Sequence, residues 1–145
     1  ERYLPLPVGQ DDMLLAVSRV GGELLSWNRD DGNERFVIEA RIRFPDTVAF
    51  AAFLDPSGRA VSFSETEDLR SLSIQLSDGR TPADAELTRF IEAVFSDYQT
   101  SIDFVLPGVP TTASNLVVEG SRASFSMPSS QLYTSSTPVL LLLEW

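Results

Sequence analysis

Arg35, Arg41 and Arg43 share one parity of the segment Glu34–Phe44, with Glu39 between them. Alternate residues of a strand share a face, so as a strand this segment lines up the three guanidinium groups. A guanidinium fork matches a carboxylate, and such a stripe would suit a carboxylate or sugar-acid ligand. The same residues also make an ordinary solvated sheet face carrying cross-strand charge pairs, and that is the weightier reading. Asp103, on the polar face of its own strand, would find a cation there in the same way.

Two acidic clusters offer oxygen ligands. Asp30, Asp31, Gly32, Asn33 and Glu34 would suit Ca²⁺, but they lack the alternate spacing and the distal glutamate of an EF-hand loop. Their composition fits a solvated hairpin turn better. Glu65, Glu67 and Asp68 read the same way. No metal ligand is assigned and no cofactor is expected. Two carboxylates would suffice for a glycosidase-like hydrolase. With 21 acidic residues in the chain, however, some pair always qualifies, so the pattern selects nothing. Trp27, Trp145, Tyr98 and Tyr133 would suit a sugar or peptide groove, although such residues more often belong to a core.

The absences say more. There is no His and no Cys, and all 11 basic residues are Arg. This removes His- and Cys-based nucleophilic catalysis, Schiff-base chemistry on Lys, a Lys-containing P-loop and an ordinary zinc site. The balance therefore leans away from an enzyme. The net charge of −10 argues against nucleic acid and against docking to an anionic membrane. The apolar run Val139–Leu143 is far short of the ~20 residues of a membrane span, and so is every other apolar run in the sequence. The partner left open is a protein or a small molecule.

These residues need elements to place them. The expected class is α+β: an antiparallel or mixed sheet with about three helices packed on it, in one domain over 1–145. Asp11 is expected to cap a helix carrying Leu14, Leu15, Val17 and Val20, ended by Gly21 and Gly22. A strand with Leu25 and Trp27 on one face follows. Glu34–Phe44 alternates Phe36, Ile38, Ala40, Ile42 and Phe44 against polar residues, which implies one wet face. Asp46 caps a helix with Ala49, Phe50, Phe53 and Leu54, and strands follow at Val61–Phe63 and Leu72–Leu76.

Thr81, Pro82 and Asp84 read as the cap and first turn of a helix whose Leu87, Phe90, Ile91, Val94 and Phe95 share a face. Ile102–Leu106 is the next strand. The order over 34–106 is strand, helix, strand, strand, helix, strand, as in a ferredoxin-like split βαβ core. Phe90, Ile91, Val94 and Phe95 are expected to be nearly buried, with Ile38, Ile42, Ile74 and Phe104. The Ser- and Thr-rich part, 109–145, completes the sheet or forms an appendage. It holds a hairpin turning at Glu119–Gly120. The non-alternating run Val139–Leu143 is expected as an interior strand covered on both faces, beside 102–106 or 36–44.

Three segments together carry a resemblance: Tyr3-Leu4-Pro5-Leu6-Pro7-Val8, Ile102-Asp103-Phe104-Val105-Leu106-Pro107-Gly108, and Pro138-Val139-Leu140-Leu141-Leu142-Leu143-Glu144-Trp145. A helix, a strand running into LPG, a hairpin and a last strand ending near Trp resembles uncharacterised bacterial cell-envelope lipoproteins. The resemblance implies an extracytoplasmic location and a lipid-bearing Cys upstream of Glu1, and it assigns no site residue. The chain opens without Met, which implies a processed form or an excised piece. The resulting expectation is a non-catalytic binding or structural module of the envelope. The alternatives are a small-ligand regulatory module and, behind it, a carboxylate-only hydrolase.

Overall fold

The computed structural model describes Pro7, residues 9–31, 36–80, Pro82 and 84–145. The chain divides into two compact units, one ending at Val61 and the other running Ser62–Trp145.

The first unit contains helix α1 (Gln10–Arg19), strands β1 (Glu23–Asp31) and β2 (Phe36–Arg43), and helix α2 (Thr47–Leu54). Gly9, not Asp11, is the N-cap of α1, and Asp11 and Asp12 occupy its first turn, where the helix dipole favours them. The helix ends as its two glycines require. Gly21 takes a left-handed φ of 73°, and the Gly22 N–H returns to the Val17 carbonyl at 3.0 Å. Met13 and Val17 are its buried residues, while Leu14 and Leu15 are exposed.

β1 and β2 pair antiparallel, with a bulge between Leu24 and Ser26. That extra residue puts Leu24 and Trp27, rather than Leu25 and Trp27, opposite the Ile42 and Ala40 face, and leaves Leu25 exposed. Asp46 caps α2 as expected, its carboxylate accepting the Ala49 N–H at 2.7 Å. Phe44 lies against Phe50 and Phe53, at ring-centroid distances of 5.5 and 5.2 Å.

The second unit continues with β3 (Val61–Glu65), β4 (Arg70–Asp78), α3 (Ala85–Phe95), β5 (Gln99–Val105), β6 (Thr112–Ser114), β7 (Val117–Glu119), β8 (Arg122–Pro128), α4 (Ser129–Thr134) and β9 (Pro138–Glu144). The class is α+β, with antiparallel sheets ordered β1-β2, β3-β4-β9-β6 and β5-β8-β7. The element order of a split βαβ core is present, but its single sheet is not. β2, β3 with β4, and β5 fall into separate sheets. Each finds an antiparallel partner outside the 36–105 stretch or in its own hairpin, and no helical crossover is left to make parallel neighbours.

β9 is interior, as its composition requires, but its neighbours are β4 and β6 rather than 102–106 or 36–44. It is also not covered evenly. Val139, Leu141 and Leu143 are buried with Leu72 and Ile74 of β4, whereas Leu140, opposite Gln75, is 43 % exposed.

The largest departure concerns α3. Its cap is Asp84, which accepts the Glu86 N–H at 2.8 Å, so Pro82 precedes the helix; Thr81 lies outside the described residues. No α3 residue is buried, and Phe90 is 62 % exposed, with Leu87 and Val94 also open. The apolar arc is wider than its cover. The short helix α4 meets the Phe95 side, with Tyr133 at 5.3 Å from the Phe95 ring, and leaves the Phe90 side to solvent. Ile38, Ile42 and Phe104 are half-buried; of the expected core set only Ile74 is fully inside.

Candidate functional site

The arginine stripe divides. Arg35 lies outside the described residues. Arg41 and Arg43 do share the wet face of the β1-β2 hairpin, opposite Ser26 and Glu23. Arg43 Nη1 is held by Glu23 at 3.2 Å, and both side chains are more than half exposed. An exposed cross-strand pair of this kind leaves the Arg43 fork partly engaged. Asp103 behaves as its strand position suggests, lying 3.6 Å from Arg122 on β8. Of the acidic turn at 30–34, Gly32, Asn33 and Glu34 fall outside the described residues. Among the described residues no cluster of acids is spaced to hold a metal ion.

Among the described residues, Asp55 is the acid with the most unusual setting. It is buried, and its carboxylate accepts the Ser57 hydroxyl at 2.5 Å, the Ser57 N–H at 3.0 Å, and the N–H groups of Ala60 and Val61. Burial pushes its pKa up, but the hydrogen bonds, led by the Ser57 hydroxyl, outweigh it and hold the group well below the usual carboxylate range. All of its donors come from the loop that it folds, so this carboxylate ties the α2–β3 turn.

A recess lies within the second unit. It is a cleft of about 480 Å³, walled by 115–117, 124–127 and 137–139 together with Ser135. Strand pairing explains its position. β6 pairs with β9 only over Leu142–Glu144, so on that edge Pro138–Leu141 have no strand neighbour, and the Asn115 side chain takes the Leu140 carbonyl. β7 pairs with β8 only over Arg122–Ser124, so that edge of β8 runs open through Phe125–Met127. The chain passes from one sheet to the other at Asn115 and Leu116, and the two open edges border the space beside this crossing.

The walls mix hydroxyl and amide groups with apolar side chains. Ser126 Oγ lies 3.1 Å from Ser101 Oγ and donates to Gln99 Oε1 at 3.3 Å. Ser135 Oγ donates to the Thr137 carbonyl at 2.7 Å and accepts the Thr137 N–H at 3.1 Å. Asn115 holds a left-handed φ of 60°. Phe125 and Val139 form the buried floor, and Val117 stands exposed at the rim. Among the described residues no charged side chain lines the cleft. The cleft was not visible in the sequence, because it arises from where two three-residue strands stop.

A smaller recess, about 210 Å³, sits between the Thr66–Arg70 turn and Trp145. There Arg70 pairs with Glu65 at 2.7 Å, and the Trp145 Nε1–H is buried without a partner among the described residues.

Comparison with known proteins adds no relative: no protein family, no curated protein and no solved structure matches this chain.

Proposed function

We propose that this chain is a non-catalytic binding module of the bacterial cell envelope that holds an uncharged ligand in the cleft between β8 and β9. The observation that carries the reading is the lining of that cleft: hydroxyl, amide and apolar groups, with no acid or base among the described residues that form it. Such walls offer hydrogen bonds and apolar contact, the ordinary means of holding a ligand. They bring no titratable group to the ligand, as general acid–base work would need. The envelope assignment rests on the resemblance to bacterial envelope lipoproteins carried together by Tyr3–Val8, Ile102–Gly108 and Pro138–Trp145.

The test is a titration of isotope-labelled protein with two neutral probes, cellohexaose and a mixed library of short uncharged peptides. One of them should shift the amide resonances of Ser124–Met127, Thr137 and Val139, and Val117→Arg should suppress the shift. Perturbation confined to Arg41 and Arg43 by an added carboxylate, with the cleft silent to both neutral probes, would favour the arginine face instead.

A further inference from the structure

We infer that the occupant of the cleft is an extended, uncharged polypeptide segment, which adds a strand to the open edges of β8 and β9. The inference rests on reading the cleft as a binding site, and goes beyond it by naming the chemistry of the ligand.

An open strand edge presents main-chain N–H and C=O groups at strand spacing, and the group that matches that spacing is another extended backbone. Such edges are common singly. Here two of them border one recess, which Pro138 and Val139 line from the β9 side and Phe125–Met127 from the β8 side.

The protein itself shows which way the β9 edge points. The Asn115 side-chain amide donates to the Leu140 carbonyl at 2.7 Å, in place of the N–H a neighbouring strand would supply. The N–H and C=O of one strand residue point to the same side, so the Leu140 N–H also faces the open edge. An added segment would find that donor, the Pro138 carbonyl and the β8 edge opposite.

Charge selects further. A segment entering this space meets no cation or anion to pair with, so a charged side chain there would lose hydration without compensation. Small hydroxylated or β-branched residues fit the walls made by Ser126, Thr137 and Val139.

The experiment uses the full chain and a mixed library of uncharged peptides of roughly six residues, the usual strand length, built from Ser, Thr, Val, Ile and Asn. A second library is identical except that alternate backbone nitrogens are methylated. Methylation removes ladder donors and leaves the side chains in place. The unmethylated library is expected to shift the amides of Phe125–Met127 and Val139–Leu141. The methylated library should bind at least ~10-fold more weakly, the effect of losing ladder hydrogen bonds. Val117→Arg, a change at an exposed rim position, should abolish the shifts while the unfolding transition stays in place. Equal binding of the two libraries overturns strand addition. If cellohexaose shifts the cleft and neither library does, the cleft remains a binding site and the peptide inference falls. If no neutral probe shifts it, both readings fall together.

Discussion

The side-chain amide of Asn115 donates to the main-chain carbonyl of Leu140 across 2.7 Å, and Asn115 holds a left-handed φ of 60° to do so. Asparagine tolerates that backbone better than other residues with a Cβ. One residue thus turns the chain out of β6 and closes part of the β9 edge. Asn115→Gly keeps the backbone conformation and removes the hydrogen bond, so it should cost about 0.5–1.5 kcal/mol. Asn115→Ala loses the bond and also strains the backbone, adding about 1–2 kcal/mol. Denaturant midpoints of the two variants separate these contributions. Equal midpoints would show that the left-handed turn carries no cost.

Asp55 links stability to pH. Its folded pKa lies below its unfolded value, near ~3.9. The stability it contributes is therefore fully present above the unfolded pKa. It is lost as the pH falls through that value toward the lower folded one. Asp55→Asn should lower stability at neutral pH by about 1–3 kcal/mol, because an amide cannot accept every bond the carboxylate accepts. It should also flatten the dependence of the unfolding free energy on pH below about 4. An acid-unfolding curve identical to that of the parent protein would remove Asp55 from this role.

The sequence shows where elements begin and end more clearly than what they pack against. Asp46, Gly21 and Gly22 act locally, through hydrogen bonds within a few residues, so their types and spacing announce them, whereas the α3 cap falls at Asp84 and not at Thr81. The wet face of Arg41 and Arg43 was legible for the same reason, since strand alternation alone produces it. Partner choice was not. β4 takes β9 across about sixty residues of chain, and nothing in either segment names the other. Nor does alternation reveal a bulge, which is why Leu25 was placed on the face that Leu24 occupies. The cleft depends on where short ladders stop, and no residue type marks that.

Phe90 tests the most misleading helix. Its spacing with Ile91, Val94 and Phe95 reads as a core face, yet its side chain is 62 % exposed. Phe90→Ser should therefore change stability by no more than about 0.5 kcal/mol, as for other surface substitutions. It should also reduce binding of an environment-sensitive apolar dye, because Leu87, Phe90 and Val94 form one open stripe. A loss of about 3–5 kcal/mol, the cost of truncating a buried aromatic, would place Phe90 in a core after all.

β9 gives the sharpest contrast, because adjacent leucines of one strand differ in surroundings. Leu141 is 1 % exposed and pairs opposite Ile74, while Leu140 is 43 % exposed and pairs opposite Gln75. Leu141→Ala removes buried methyl groups and leaves a cavity, so it should cost about 2–5 kcal/mol. Leu140→Thr keeps strand propensity at a half-wet position and should stay within about 0.5 kcal/mol of the parent protein. The Leu143 position, also 1 % exposed, should behave like Leu141. Denaturant unfolding of the three variants decides the matter. Similar losses at 140 and 141 would mean that both faces of the strand are covered. That would return β9 to the evenly buried strand its unbroken run of leucines suggests. A large loss at 141 with none at 140 would show alternation imposed by the sheet on a sequence that does not alternate. The Leu140 face would then remain open beside the edge where Asn115 caps the strand.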